Sequence, residues 1–204
     1  MTLDLSTMTV SELLEALSDR KPVPGGGAAA GAVAAIGIAT GRMVLSYSIG
    51  KDELAQHDAV NQAAAEELDQ WRQEALHLAQ ADAEAFEVLQ ALWKLSAEDQ
   101  VRIEGWHDAV MGAIAAPLAT CELCRRSAEL LSTLPARTNP LLHSDLYVGA
   151  TLLVAACDAA ACNVRVNLPT LEDELERARL AGQAADDVER CREYLLAIEV
   201  ACGC

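Results

Sequence analysis

One carboxylate interrupts an otherwise apolar row. Ala64, Leu68, Trp71, Ala75, Leu78, Asp82, Ala85, Leu89 and Leu92 follow alternating steps of four and three residues, the spacing of a helix that buries one seam. An acid in that row must be paired or desolvated, and desolvation lifts its pKa toward the range in which it can give and take protons. Asp82 is therefore a candidate general acid or base. The alternatives are a buried Asp that sets helix register through an Arg or Lys, or a bundle face that opens to water there. A second feature is Pro22-Val23-Pro24-Gly25-Gly26-Gly27. Its prolines hold the chain extended, and its glycines permit positive φ and let backbone N–H groups approach a bound group. The plainer reading is a glycine-rich helix start.

Three further positions could meet these two. Lys51 follows Gly50 at a helix junction, from which an ammonium can reach an anionic ligand or hold a carboxylate. Asp145 lies beside Ser144 at a helix start, where the helix dipole already accounts for it unless another group joins it. Asn163, Arg165 and Asn167 end an apolar helix. There Arg165 can bind the last carbonyls or an anion and Asn163 can orient an amide, with capping as the alternative.

Metal chemistry has little support. His57, His77, His107 and His143 form no HxxxH or HExxH pair. Seven cysteines without a secretory signal fit a reducing compartment. Cys121 and Cys124 form one CxxC inside a helical pattern. Cys202 and Cys204 could complete a four-thiolate zinc site, but no second CxxC exists, so buried or idle thiols are expected. No nucleophile elbow, Walker loop or Rossmann fingerprint occurs.

The elements that must position these groups are helical. Of 204 residues, 52% are hydrophobic but only 3% aromatic, so apolar volume comes in small pieces suited to close helix approach. The expected architecture is all-α, a multi-helix bundle with long Ala/Gly-rich central helices, in one domain over residues 1–204. A capping box, Thr9-Val10-Ser11-Glu12, opens a short helix through about Ser18. A helix from about Gly27 to Ile49 is apolar nearly all round. Arg42 and the abundance of Ala and Gly favour a buried central helix over a membrane span. Lys51 to Leu95 reads as one long or once-broken helix, and Val101 to Leu134 as another that Pro117 should kink. Asn139 or Ser144 can cap a helix running to about Val166, and two shorter acidic helices finish the chain. A net charge of −16 argues against nucleic acid and anionic lipid. Met1 to Val10 lacks a basic start and an apolar core, which points to a cytoplasmic protein.

Three ordered blocks resemble the cyclodeaminase/cyclohydrolase family. They are Pro22 to Gly27 with Ser48-Ile49-Gly50-Lys51, then Asp82-Ala83-Glu84-Ala85-Phe86, and Asn139-Pro140 with Ser144-Asp145-Leu146 through Ala161 to Leu168. The family contains methenyltetrahydrofolate cyclohydrolases and the cyclodeaminase domain of formiminotransferase-cyclodeaminase. The resemblance implies an all-helical homodimer acting on a folate one-carbon unit, with no metal or redox cofactor. It implies Asp82 or Asp145 as the proton-transfer group and Lys51 as the residue that positions carboxylates or a pterin carbonyl. Pro24, Gly25, Gly26 and Gly27 would line the substrate, with Asn163 and Arg165 on its polar edges. A free-standing chain of this kind is expected to be the cyclohydrolase. The alternatives are formiminotetrahydrofolate cyclodeaminase and a non-catalytic folate-binding or scaffold dimer. Val23 and Ala28 stand where relatives carry hydroxyls, and Asp52, Glu53 and Leu54 where they carry basic and aromatic residues, so activity or substrate can have drifted.

Overall fold

The computed structural model describes residues 4–203 and, among them, contains helices and 3-10 turns but no strand. Helix α1 (Val10–Ser18) opens with the expected capping box. The Glu12 N–H donates to Thr9 Oγ1 at 3.2 Å, and the Thr9 N–H donates to Glu12 Oε2 at 2.7 Å. Four long helices, α2 (Gly26–Ser46), α3 (Asp58–Trp93), α4 (Gln100–Ser132) and α5 (His143–Asn167), pack up-down-up-down in a ring. Helix α6 (Glu174–Cys202) lies in the outer groove between α4 and α5.

Small residues bring the ring together. A Cβ at Gly31 would stand 2.8 Å from the Ala79 Cβ and 2.9 Å from the Ala75 carbonyl, so α2 and α3 approach at backbone distance only because Gly31 has none. Gly37 and Gly149 do the same for α2 and α5. This close approach also redirects the seam. The buried row on α3 runs through Ala75, Ala79 and Ala83, leaving Leu78, Asp82 and Ala85 half-buried beside it.

Several boundaries differ from expectation. The stretch after Gly50 is a 3-10 turn, Asp52–His57, before α3 begins. Asn139 caps the 3-10 turn Pro140–Leu142 rather than α5, which starts at His143 with no side-chain cap. The chain ends in one helix of 29 residues, not two. Gly182 costs that helix about 1 kcal/mol relative to Ala, and burial of Leu180, Ala184, Val188, Cys191 and Ile198 outweighs it. Helices α2 and α5 are long and apolar enough to cross a membrane by length and composition. Here their inner faces are packed in the ring.

Candidate functional site

Glycine at the start of α2 makes room for a carboxylate from α3. Gly25 caps α2 with no side chain, so the first-turn N–H groups of Gly26, Gly27 and Ala28 have no cap from their own segment. The Asp82 carboxylate fills that role from across the bundle. It sits where a Gly27 Cβ would stand, so any side chain there would collide with it, and the Ala28 N–H donates to it. Burial raises the Asp82 pKa above the ordinary 3.8, and the hydrogen bond from Ala28 only partly offsets this. No Arg or Lys pairs with Asp82 among the described residues.

The glycines are present for proximity rather than for turn geometry. Gly25 is extended and Gly26 and Gly27 are helical, while positive φ occurs at Gly50 and Gly203. Pro24 is buried and follows a cis Val23–Pro24 bond. Asn163 closes the other side. Its Nδ2 donates to the Ala159 carbonyl at 2.9 Å, and its amide lies beside Gly26, with Oδ1 3.7 Å and Nδ2 3.8 Å from where a Cβ would be. A wall that sequence reading missed comes from the chain before α1. Leu5 is buried with Ala28 and Ala79, and its N–H donates to Gln80 Oε1 at 3.1 Å. The site thus brings together a half-buried acid with a raised pKa, a side-chain amide and the N-terminus of a helix.

The remaining predicted residues lie elsewhere within one chain. Helices α2 and α5 are antiparallel, with Gly26 beside Asn163 and Gly37 beside Gly149. Asp145 is therefore about 27 Å along the axis from Asn163, at 1.5 Å per residue. Lys51 follows α2 at that same far end, which is pinned by the buried Ser48, whose Oγ accepts from the Asn139 N–H at 2.9 Å. Arg165 is exposed and lines a groove of about 660 Å³ with Asp158 and Arg192, between α5 and α6. Residues two positions apart on a helix differ by about 200°, so Asn163 and Arg165 face opposite sides.

Between the two ends, α2 and α5 present a shared face with no charge. Ile36, Thr40 and Tyr47 lie along α2, and Val148, Ala155 and Val166 along α5. Ile36 is 54% exposed and Val166 64%. Arg42 and Asp158 flank the face but turn away, to Asp69 and Arg192.

Four of the cysteines gather away from this site, while Cys162 is exposed on α5 next to Asn163. Cys121 and Cys124 from α4 meet Cys157 from α5 and Cys191 from α6, all buried. The Cys121 and Cys157 thiols donate to each other's carbonyls at 3.6 and 3.7 Å. Cys202 is at the end of α6, and Cys204 lies outside the described residues. Among the described residues, no group of three His, Cys, Asp or Glu side chains is arranged to hold a metal ion.

Comparison with known proteins places this geometry. The family profile of formiminotransferase-cyclodeaminase matches residues 9–186. A methenyltetrahydrofolate cyclohydrolase of Methylorubrum extorquens is 30% identical over 169 residues, which cover 81% of each chain. The formimidoyltransferase-cyclodeaminase of Gallus gallus is 27% identical over 201 residues. The match covers 95% of this chain but only 37% of that protein's length. The crystal structure of a formiminotetrahydrofolate cyclodeaminase from Thermotoga maritima superposes with a TM-score of 0.88 at 23% identity, covering 97% of both chains, and shares the fold.

Proposed function

We infer the activity of this chain from its family: it belongs to the formiminotransferase-cyclodeaminase family. We propose that it is a methenyltetrahydrofolate cyclohydrolase, converting 5,10-methenyltetrahydrofolate and water to 10-formyltetrahydrofolate and a proton. The observation that carries this reading is Asp82, raised in pKa and held against Gly27 with only a backbone N–H for company. The cyclohydrolase of M. extorquens, matched over most of both chains, favours hydrolysis.

The chemistry follows from that arrangement. The substrate's bridging carbon is an amidinium-like cation between two nitrogens. Asp82 takes a proton from a water as its oxygen bonds to that carbon, giving a neutral carbinolamine. The carbon–N5 bond then breaks, Asp82 returns its proton to N5, and the hydroxyl proton leaves as the formyl C=O forms. A raised carboxyl pKa suits both transfers, and the cationic carbon favours the ionised acid beside it. The Asn163 amide and the first-turn N–H groups of α2 orient polar edges of the pterin. The cyclodeaminase reaction would use the same acid to protonate a leaving amine.

Lys51 and Asp145 join this site through a second copy of the chain. In a molecule with a net charge of −16, the uncharged α2/α5 face is suited to burial against its own copy. A two-fold axis lying in this face and running across the helices would set the Lys51 and Asp145 end of one protomer over the Gly27 and Asp82 end of the other. Each site would then be composite, with no metal or redox cofactor, in a cytoplasmic homodimer.

Turnover of 5,10-methenyltetrahydrofolate followed by absorbance, beside 5-formiminotetrahydrofolate with ammonia detection, separates the two reactions. Turnover of neither, with no folate bound, would leave only the scaffold. Mixing inactive Asp82→Asn and Asp145→Asn proteins tests the composite site. Random reassociation should restore about a quarter of wild-type activity, because half the dimers carry one intact site of two. No recovery in protomers shown to exchange would refute it.

A further inference from the structure

The polar end of α5 is tied to a defect in α4. Helix α4 runs unbroken through Pro117. A proline has no N–H, so the carbonyl four residues earlier, that of Ala113, loses its helical partner. A side chain from another helix supplies one. Nδ2 of Asn167, the last residue of α5, donates to the Ala113 oxygen at 3.0 Å. The same nitrogen donates to the Asn163 carbonyl at 3.1 Å, one turn back along its own helix. Both amide hydrogens are thus used on two helices at once.

This joint sits at the level of the candidate site. Gly112, next to Ala113, faces Ala85 on α3, three residues beyond Asp82. Asn163, whose backbone carbonyl Asn167 holds, is the residue whose side-chain amide faces Gly26. The chain after Asn167 turns at once, with the Thr170 hydroxyl donating back to the Asn167 carbonyl and Pro169 barring further α-helix. Val164 and Leu168 bury the apolar side of this last turn, and the Ala113 contact adds a polar tie to α4 at an end of the kind that frays.

We propose that Asn167 is a positioning residue for the reaction at Asp82. By taking the carbonyl that Pro117 frees on α4, it holds the last turn of α5 and so fixes Asn163 against the glycine-lined start of α2. The inference rests on the folate reading for its kinetic readout but not for its structural one. An amide is needed because Leu, of similar shape, donates nothing and Asp adds negative charge to a carbonyl oxygen.

Pro117→Ala separates positioning from mere hydrogen-bond satisfaction, because the alanine N–H can take the Ala113 carbonyl itself. Asn167→Leu should lower the thermal midpoint and reduce kcat by ~10–100-fold, with a smaller change in KM. In the double variant Pro117→Ala/Asn167→Leu the thermal midpoint should recover while kcat stays low. Amide exchange over residues 159–167 should remain faster than in wild type. Recovery of kcat together with the thermal midpoint, or wild-type kcat in Asn167→Leu, would overturn the proposal. If Asn167→Leu does not fold, the double variant decides alone: low kcat supports positioning and wild-type kcat refutes it. If the wild type turns over neither folate, the folate reading fails separately. Exchange at residues 159–167 of the double variant then decides, faster supporting the joint and unchanged overturning it.

Discussion

Asp82 is a half-buried acid and Asp187 a buried one, and their surroundings differ in kind. Both have pKa values raised above 3.8 by burial. Asp187, on α6, is 6% exposed and accepts from Arg125 Nε at 2.8 Å, while its other oxygen has no partner. It is a charge fixed by a charge, and it pins α6 to α4. Asp82 meets a helix N-terminus instead, with a backbone N–H that stays put whether the acid is ionised or not. Burial alone therefore does not mark a proton-transfer group. The partner is what differs, because the Arg125 guanidinium favours the charged form and offsets part of the burial at Asp187, while Asp82 has only a neutral donor.

The largest expected effect breaks the pair apart. Asp82→Asn should cut kcat for methenyltetrahydrofolate hydrolysis by at least ~100-fold without unfolding the protein, since Asn still accepts from Ala28. Asp187→Asn should leave kcat near wild type and cost about 1–3 kcal/mol of stability, read by denaturant titration. Equal kcat losses in the two variants would erase the distinction. Next, Gly27→Ala should lower kcat by ~10–100-fold, because its Cβ displaces the Asp82 carboxylate. A crystal structure of that variant with Asp82 unmoved would contradict the account.

A smaller effect appears in stability against pH. The folded protein holds the Asp82 proton more tightly than the unfolded chain does. Its favourable contribution is therefore complete below 3.8 and is lost as pH rises through the raised folded value. Asp82→Asn should accordingly be more stable than wild type at neutral pH, with the gap closing as pH falls toward 3.8. A gap that widens on acidification would mean that the folded pKa is depressed. Smallest is Arg192→Ala, which removes an exposed ion pair with Asp158 and should change stability by at most ~1 kcal/mol.

Residue type made one half of the site legible from sequence, and geometry hid the other half. Asp82 and Gly25 to Gly27 stood out because an acid on a seam and consecutive glycines are costly unless used. Their meeting depended on an α2/α3 register that Gly31 and Ala79 set by contact. Strict four-and-three spacing put Asp82 on the seam itself, whereas the close approach shifts burial to Ala79 and Ala83 and leaves Asp82 at the edge. The faces of Asn163 and Arg165 follow from their separation of 200°, so that division was available from sequence. That Lys51 lies a helix length from Gly27, and Asp145 from Asn163, was available too, whereas the sharing of one end by Asp82, Gly27 and Asn163 was not, because it follows from how α2, α3 and α5 pack. The thiol cluster was equally hidden, since Cys121, Cys157 and Cys191 share a level only after three helices have packed.

The most direct test is the pH dependence of single-turnover hydrolysis of 5,10-methenyltetrahydrofolate in wild type, Asp82→Asn and Asp187→Asn. An acid limb with a midpoint above 3.8 should appear in wild type and Asp187→Asn and vanish from the residual rate of Asp82→Asn. The same limb persisting in Asp82→Asn would show that another group moves the proton.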